Sequence, residues 1–285
     1  MITHEYIEVN GIKLHIAKQG DGEKLVILLH GWPEFWYTWR YQIPVLAEKY
    51  TVVVPDLRGF NLSDKPKGIA NYKTDIVASD IAALIPALGF EKAYIVGHDW
   101  GGAVAWAFAA MYPELTEKLA VLNCPHPKEM VNAIRKNPKQ LLKSWYMFMH
   151  QIPVLPEFFL DKFLPQFYKE FVRGWMINKQ NFTDEDLEEF IKAFKQPGAL
   201  TGSINYYRAM MQTKPNFSIF KNKIQAPTLL IWGEKDKALG IELTYNTEKY
   251  VDNTCEIKYL PNCSHWTQND CPDEVNECLL EFLGR

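Results

Sequence analysis

The chain has 285 residues, of which 47% are hydrophobic and 23% charged, and its formal net charge is −3. This length allows one large domain or two modest ones with a substantial core, and the charge balance gives no reason to propose nucleic acid or an anionic membrane as a partner. The chain contains no run of roughly 18 apolar residues that could span a membrane, and its N-terminus lacks a signal-peptide pattern.

Five cysteines are present, and Cys255, Cys263, Cys271 and Cys278 are spaced 8, 8 and 7 residues apart. Structural zinc sites use pairs only about two to four residues apart, so this spacing predicts free thiols and no metal. Free thiols in turn predict a reducing compartment and a cytoplasmic location.

The first part of the chain predicts a hairpin followed by alternating strands and helices. Asn10-Gly11 separates two alternating runs, residues 5–9 and 12–18, which is a strong hairpin pattern. Further strands, several of them continuously apolar as in a parallel sheet buried on both faces, are predicted at residues 24–29, 51–54, 94–96, 119–122, 227–233 and 256–260. Helices are predicted at residues 39–50, 74–88, 100–111 and 272–283. This alternation predicts an α/β fold with a mostly parallel sheet flanked by helices.

The alternation stops after Pro127. Residues 128–216 contain no buried-strand run and read as several amphipathic helices separated by prolines. A helical block of this size within an α/β pattern predicts an inserted cap, or lid, domain. The core domain is therefore predicted to comprise residues 1–127 and 217–285, and the cap domain residues 128–216.

A short strand, a very tight turn and a helix are predicted around the segment AYIVGHDWGG, residues 93–102. The turn carries Asp99, with Gly97 and Gly101 two residues away on either side, where a Cβ would collide with neighbouring backbone. This is the pattern of a nucleophile elbow with a carboxylate in the place of serine. A carboxylate is already ionised at neutral pH and can attack a saturated carbon directly, giving an enzyme ester.

Three other strand ends carry reactive residues: the His30-Gly31-Trp32-Pro33 segment, Asp236 and His265. Each alone has a structural explanation, since Asp236 could cap a helix and His265 could be a loop histidine. The order Asp99, Asp236, His265 is however the nucleophile–acid–histidine order of α/β-hydrolases. In that arrangement His265, oriented by Asp236, activates water against the Asp99 ester. The backbone N–H groups of Trp32 and Trp100 are predicted to bind the oxyanion.

Six segments together resemble the epoxide hydrolase branch of the α/β-hydrolase fold, and the resemblance covers essentially the whole chain: HGWPEFWYTWR, PDLRGFNLSDKP, GHDWGG, NCPHP, WGEKD and SHW. It implies a cis peptide before Pro33, an Asp99–His265–Asp236 triad, a helical cap and no cofactor. It also implies that Trp32, Pro33 and Trp100 contact the substrate. One departure is Asn61, which stands where the family has glycine; asparagine tolerates positive φ, so the turn is expected to survive.

Haloalkane dehalogenases share the aspartate elbow, so the leaving group has to be inferred from the cap. An epoxide oxygen leaves as an alkoxide and benefits from a proton donor, and two cap tyrosines supply the proton in epoxide hydrolases. Tyr146, seven residues before Pro153, and Tyr207, next to Arg208, are similar to that pair. The alternative for a cap tyrosine is core packing, and Tyr206 is a candidate for it.

The sequence therefore predicts a cofactor-free enzyme that converts a small-molecule epoxide and water to a vicinal diol, as a monomer or homodimer. A haloalkane dehalogenase and a catalytically silent hydrolase-fold receptor are the alternatives. Trp32 stands where many haloalkane dehalogenases have a halide-binding asparagine, and all three triad residues and both tyrosines are present. No metalloprotease, P-loop or dinucleotide-binding motif is found. His126 and His150 are expected to be cap-junction and cap residues, and not ligands.

Overall fold

The computed structural model describes residues 1–214 and 216–285. Its strands are β1 (Thr3–Val9), β2 (Ile12–Gln19), β3 (Leu25–Leu29), β4 (Thr51–Pro55), β5 (Ala93–His98), β6 (Thr116–Leu122), β7 (Thr228–Gly233) and β8 (Cys255–Leu260). Within the described residues they form one sheet in the order β1-β2-β4-β3-β5-β6-β7-β8. Strands β1, β2 and β4 pair antiparallel, and the pairs from β4 through β8 are parallel. The predicted mostly parallel α/β sheet is confirmed.

The predicted hairpin is also confirmed. Val9 pairs with Ile12 across the turn, and Asn10 and Gly11 both have positive φ, 51° and 73°. Positive φ at both central residues matches the right-handed twist of the two strands, and asparagine and glycine adopt it at least cost. Asn61, with φ of 36°, likewise takes the positive φ that its turn was expected to need.

The helices of the described chain are α1 (Gln42–Leu46), α2 (Thr74–Ala87), α3 (Trp100–Met111), α4 (Pro127–Lys136), α5 (Pro138–Lys143), α6 (Trp145–Met149), α7 (Leu155–Phe167), α8 (Asp184–Phe194), α9 (Ala199–Gln212), α10 (Thr267–Asp270) and α11 (Pro272–Gly284). Alternate residues of the central strands belong to two separate cores. Ile27 packs in the core that includes α2 and α3, and Val26 in the core that includes α1 and α11. Both faces of the sheet are thus covered, which explains why the central strands are continuously apolar.

The helix predicted at residues 39–50 is much shorter in the structure. A 3₁₀ turn occupies Trp36–Trp39, and α1 begins only at Gln42. The cause is Pro44, which lacks an N–H and whose ring excludes a helical turn before it, so that it fits only in the first turn of a helix. The chain then leaves α1 at Leu46 to reach β4.

Helices α4 to α9 lie between β6 and β7 in the chain. No strand occurs in residues 123–214, the described stretch that contains them, and residue 215 of the predicted cap lies outside the described residues. The boundaries of the cap as a domain stay a prediction. In the described parts of the chain, no helix has the length and apolar character needed to cross a membrane.

Helix α9 rests directly on the core at a contact between two glycines. A Cβ added to Gly202 would lie 2.5 Å from the carbonyl oxygen of Gly59, so only glycine fits there. Next to this contact the Tyr206 hydroxyl donates a hydrogen bond to the Arg58 carbonyl over 2.9 Å. This close backbone contact fixes the distance of α9 from the carboxyl ends of the strands.

Candidate active site

Asp99 occupies the turn between β5 and α3, with φ of 50° and ψ of −119°. The turn is tight on both sides. A Cβ on Gly97 would lie 2.3 Å from the carbonyl oxygen of Gly101, and a Cβ on Gly101 would lie 2.2 Å from that of Leu29. The glycines are therefore required by backbone contacts, as the sequence predicted, and the strained turn holds the Asp99 carboxylate above the sheet.

The two oxygens of the Asp99 carboxylate face different groups. The backbone N–H of Trp32 donates a hydrogen bond to Oδ1 over 2.8 Å, and Nε2 of His265 lies 3.5 Å from Oδ2. Trp32 follows β3 and precedes a cis peptide bond to Pro33, as the family resemblance implied. Trp100 is the first residue of α3, and its N–H is one of the first-turn donors that a helix leaves free.

His265 is anchored by Asp236. Its Nδ1 lies 2.7 Å from Oδ2 of Asp236. Burial alone would lower the pKa of His265, but the charges of Asp236 and Asp99 outweigh burial and hold this pKa well above its usual value. The sequence-predicted triad residues thus lie in contact distance at the carboxyl ends of β5, β7 and β8.

Asp236 is itself held in place by three further donors. Its Oδ1 accepts the backbone N–H groups of Ala238 at 2.7 Å and Leu239 at 2.8 Å, and its Oδ2 accepts the side-chain amide of Asn123 at 2.8 Å. Burial raises the pKa of Asp236, yet His265 and these hydrogen bonds give a net lowering. Asp236 is therefore ionised at neutral pH and lies in hydrogen-bond contact with the imidazole of His265.

The two tyrosines singled out in the sequence meet above Asp99. Tyr146 on α6 and Tyr207 on α9 have ring centroids 5.9 Å apart at an interplanar angle of 85°. Arg208 and Gln151 tie the two helices together: Nε of Arg208 donates to the His150 carbonyl at 3.1 Å, and the Gln151 amide donates to the Tyr207 carbonyl at 3.0 Å. By contrast, the hydroxyl of Tyr206 already binds the Arg58 carbonyl, so Tyr206 is a packing residue.

Both tyrosines remain protonated at neutral pH. Burial, assisted by the negative charge of Asp99, raises the pKa of Tyr146 and Tyr207 well above the usual tyrosine value. The Tyr207 ring packs against Trp100, with centroids 5.0 Å apart, and against Trp32 at 5.6 Å. Trp32 and Trp100, which were predicted as oxyanion donors and substrate contacts, thus also provide the aromatic surface against which Tyr207 packs.

Two apolar cavities have Tyr146 in their lining. The first, of about 190 Å³, is lined by Asp99, Trp100, Tyr146 and Tyr207, and by side chains such as Met130, Ile134, Phe220 and Leu239. The second, of about 360 Å³, is lined by Trp32, Tyr146, Met149, His150, Phe159, Phe163 and Phe167, among others. Pro33, predicted to contact substrate, is buried and lines neither cavity; its carbonyl accepts the Tyr168 hydroxyl at 2.9 Å.

The sequence model of the α/β hydrolase fold family matches residues 24–270. Human epoxide hydrolase 4 is 41% identical, with 99% of this chain and 79% of that protein covered. The AB hydrolase superfamily protein YfhM of Bacillus subtilis is also 41% identical, with 98% and 97% covered. The crystal structure of Bacillus megaterium epoxide hydrolase with an inhibitor superposes with a TM-score of 0.89 at 31% identity, covering 99% of this chain and all of that one. The chain belongs to the epoxide hydrolase family of the α/β-hydrolase fold.

A second polar layer, which the local sequence patterns did not predict, lies beneath Asp99 and His265 of this epoxide hydrolase. His98 Nε2 lies 2.8 Å from the carbonyl oxygen of His265, and its Nδ1 lies 2.8 Å from Oε2 of Glu34. The same Glu34 oxygen accepts the Gly31 N–H at 2.9 Å. Burial raises the pKa of Glu34, but His98 and these hydrogen bonds lower it to about 2. Glu34 and His98 thus connect the loops that carry Trp32, Asp99 and His265.

The residues of this layer and the Asp236 partner Asn123 lie within the sequence segments that resemble the epoxide hydrolase family. Glu34 and His98 stand in the segments HGWPEF and GHDWGG, and Asn123 begins NCPHP. Nothing in their local spacing indicates that the side chains are buried together, because these residues come from separate strand ends.

His150 lies in the wall of the second cavity and is buried, with 1% of its surface exposed. Its ring centroid is 4.6 Å from that of Tyr207 and 4.9 Å from that of Trp32, and neither ring nitrogen has a hydrogen-bond partner. Burial, with Arg208 nearby, lowers the pKa of His150 to about 4. It is a neutral cap residue at pH 7, in the region where the sequence expected it.

One group of potential metal ligands occurs in the described chain. Cys263, Asp270 and Cys271 place ligand atoms within 4.8 Å of one another. The Asp270 carboxylate, however, already accepts the N–H groups of Ser264 at 2.7 Å and Asn178 at 2.6 Å. These bonds fasten the loop that carries His265, so the group is explained by loop structure. All five cysteines are free thiols in the structure.

Proposed function

We propose that the protein hydrolyses a small-molecule epoxide to a vicinal diol through an ester on Asp99. The observation that carries this proposal is the position of Asp99 opposite Tyr146 and Tyr207 in one apolar cavity. A carboxylate nucleophile faced by two protonated phenols is suited to open a strained ring, because one side attacks carbon while the other protonates oxygen.

In the first step, an Asp99 carboxylate oxygen attacks an epoxide carbon, and the bond between that carbon and the ring oxygen breaks. Tyr146 or Tyr207 gives its proton to the departing oxygen, so that a hydroxyl group and an ester are formed. The raised pKa of both phenols keeps the proton available until the much more basic alkoxide develops. The apolar cavity excludes bulk water from this step.

In the second step, His265 removes a proton from a water molecule, which attacks the ester carbonyl of Asp99. The N–H of Trp32, which points at the Asp99 carboxylate at 2.8 Å, and that of Trp100 stabilise the oxyanion. Asp236 stabilises the imidazolium, which later returns the proton. Collapse of the tetrahedral intermediate releases the diol and leaves Asp99 protonated, and this proton returns to the phenolate formed in the first step, which restores both groups. One oxygen of the diol therefore comes from the carboxylate and not directly from the water.

An isotope experiment tests this route. Excess enzyme is mixed with styrene oxide in oxygen-18 water for a single turnover, and the diol and the Asp99 peptide are analysed by mass spectrometry. We expect an unlabelled first-cycle diol and one heavy oxygen on Asp99. Direct labelling of that diol would overturn the ester mechanism. Halide release from a brominated alkane without any diol from epoxides would instead identify a haloalkane dehalogenase.

A further inference from the structure

Ten large apolar side chains are exposed within a short stretch of the cap. Only seven other large apolar side chains are exposed in the rest of the described chain. We call these ten residues the cap face: Leu141, Leu142, Trp145, Phe148, Ile152, Val154, Leu155, Phe158, Phe159 and Phe163. A cluster of this density marks an interaction surface, because single exposed apolar residues are ordinary but a concentration of them is not.

The cap face is continuous across two helical segments. In the first segment Leu141 lies on α5, and Trp145 and Phe148, three residues apart, lie on one side of α6. In α7, Phe159 and Phe163 are four residues apart and their rings stack with centroids 6.3 Å apart. The second cavity is lined by Trp145 from the first segment and by Phe159 and Phe163 from the second. The exposed apolar residues of the two segments are therefore neighbours.

The stretch of chain that contains the cap face carries a net positive charge, although the net charge of the whole chain is negative. Residues 135–170 contain six basic and three acidic side chains, a surplus of three positive charges in a chain whose net charge is −3. One of the acids, Glu157, is neutralised by Arg208 at 2.5 Å. The Lys162 ammonium lies over the Phe158 ring at 5.9 Å and the Phe163 ring at 5.3 Å, with its charge above an apolar surface.

We infer that the cap face docks on an anionic phospholipid surface. An apolar helical face with tryptophan and phenylalanine, in a stretch rich in lysine, is the composition that inserts between lipid headgroups while the cations bind anionic lipids. A second copy of the chain fits less well, because a two-fold contact through this face would bring two stretches with the same surplus of positive charge together. The lipid surface is thus the partner whose charge and polarity both match.

Docking would place a substrate entrance at the lipid surface. Trp145, Phe159 and Phe163 are exposed and also line the second cavity, which shares Tyr146 with the cavity that contains Asp99. A lipophilic epoxide could pass from the bilayer to Asp99 by an apolar route. This entrance role rests on the proposed function, whereas the docking itself does not.

Sedimentation with sucrose-loaded vesicles tests the docking without any substrate. We expect the full chain to co-sediment with vesicles of phosphatidylcholine and phosphatidylglycerol and to bind pure phosphatidylcholine much more weakly, with binding reduced by added salt. The combined variant Leu142→Ser, Val154→Ser and Phe158→Ser removes three exposed side chains, with 74%, 73% and 57% exposure, and should lower the partition coefficient about tenfold or more. Tyr6→Ser, 50% exposed on edge strand β1, is the matched control and should bind like the wild type.

The combined variant Lys139→Gln, Lys143→Gln and Lys162→Gln should lower binding to the anionic vesicles about 100-fold and leave binding to neutral vesicles unchanged. Melting temperatures equal to that of the wild type would show that the variants are folded. A wild-type chain that stays in the supernatant with anionic vesicles would overturn the proposal, as would serine variants that still sediment. A wild-type dimer that the serine substitutions dissociate would assign the cap face to a second copy of the chain.

Discussion

Nε2 of His265 lies 3.5 Å from Oδ2 of Asp99, beyond the length of a strong charge-assisted hydrogen bond. The histidine is fixed from its other side, where Nδ1 is only 2.7 Å from Asp236. Among the described residues, Oδ2 of Asp99 thus has no short partner and is available to a substrate, while Oδ1 accepts the Trp32 N–H and His265 stays beside the carbonyl of the ester that would form. Asp99 is therefore positioned for the first proposed step, the attack on the epoxide, and His265 for the second, the hydrolysis of the ester.

Replacement of the histidine should trap the ester. In His265→Gln, Asp99 still opens the epoxide, but the water that cleaves the ester has no base. We expect turnover to fall by about 10³-fold, and intact-protein mass spectrometry to show an adduct with the mass of one substrate. Asp99→Asn is the control and should give neither adduct nor diol. An unmodified His265→Gln enzyme that still forms diol would contradict the covalent route.

The cap tyrosines should act as partly redundant acids. Tyr146→Phe and Tyr207→Phe should each slow ring opening about tenfold, since the other phenol remains, and the double variant should slow it about 10³-fold. Ring opening is followed by the quench of tryptophan fluorescence or by rapid-quench analysis of the ester. Tyr206→Phe is the matched control: it loses the hydrogen bond to Arg58 and about 1 kcal/mol of stability, but should keep its ring-opening rate. Equal losses in all three variants would indicate a packing role only.

The charge of Asp236 should set the pH dependence of the second step. Asp236 and Asp99 together raise the pKa of His265 despite its burial. In the ester, Asp99 carries no charge, so Asp236 alone remains to raise the pKa of His265. Because the neutral imidazole is the base, the rate of ester hydrolysis should rise with pH through the His265 pKa of this intermediate. Asp236→Asn removes the remaining negative charge, so the rising limb should move to lower pH while kcat falls about 10²- to 10⁴-fold. Ester breakdown followed by stopped flow between pH 5 and 9 measures both effects.

The raised pKa of His265 also determines how the free energy of unfolding depends on pH. The folded-state pKa of His265 lies above the unfolded value of about 6.5, so its ion pair contributes fully below that pH and is lost as the pH rises through the folded value. Urea unfolding of His265→Gln should therefore depend less on pH over this window than unfolding of the wild type. An identical pH dependence in both proteins would exclude this contribution.

His150 should be a source of acid sensitivity. Burial lowers the pKa of His150 to about 4 in the folded protein, compared with about 6.5 in the unfolded chain. Between these two pH values the unfolded chain binds a proton at His150 and the folded chain does not. The free energy of unfolding therefore decreases as the pH falls from about 6.5 toward 4. His150→Phe removes two unpartnered ring nitrogens beside a cavity with room for the larger ring. We expect about 1 kcal/mol more stability at pH 7 and a larger gain at pH 5, measured by urea unfolding.

His126 provides the comparison for that prediction. Its pKa is lowered to about 3 by burial, but Nδ1 accepts the Lys128 N–H at 3.3 Å at the start of α4, and its ring stacks on Tyr250 at 4.0 Å. His126→Phe should therefore lose a helix cap and be less stable at pH 7. A destabilised His150→Phe would mean that the His150 nitrogens have a partner, such as a bound water.

The parts of the fold that depend on local patterns could be predicted from the sequence, and the parts that depend on distant partners could not. Continuous apolar runs predicted the central strands, and the glycines around Asp99 predicted the elbow. Pro44 gave a local reason for a short α1 that the helical pattern of residues 39–50 concealed. The contact of Glu34 with His98 and the exposure of the cap face arise only when separate segments are assembled. The positions of Tyr146 and Tyr207 required the family resemblance, because helical periodicity alone does not distinguish a proton donor from a core residue.

The contact between Gly59 and Gly202 also bears on how the enzyme can diversify. Tyr207 lies five residues beyond Gly202 on α9, so a main-chain contact without side chains sets the height of one phenol above the carboxylate. Side chains elsewhere on the cap can then be exchanged, and the chamber reshaped for other substrates, while the reacting groups stay aligned. We expect this contact to let substrate preference vary independently of the proposed chemistry.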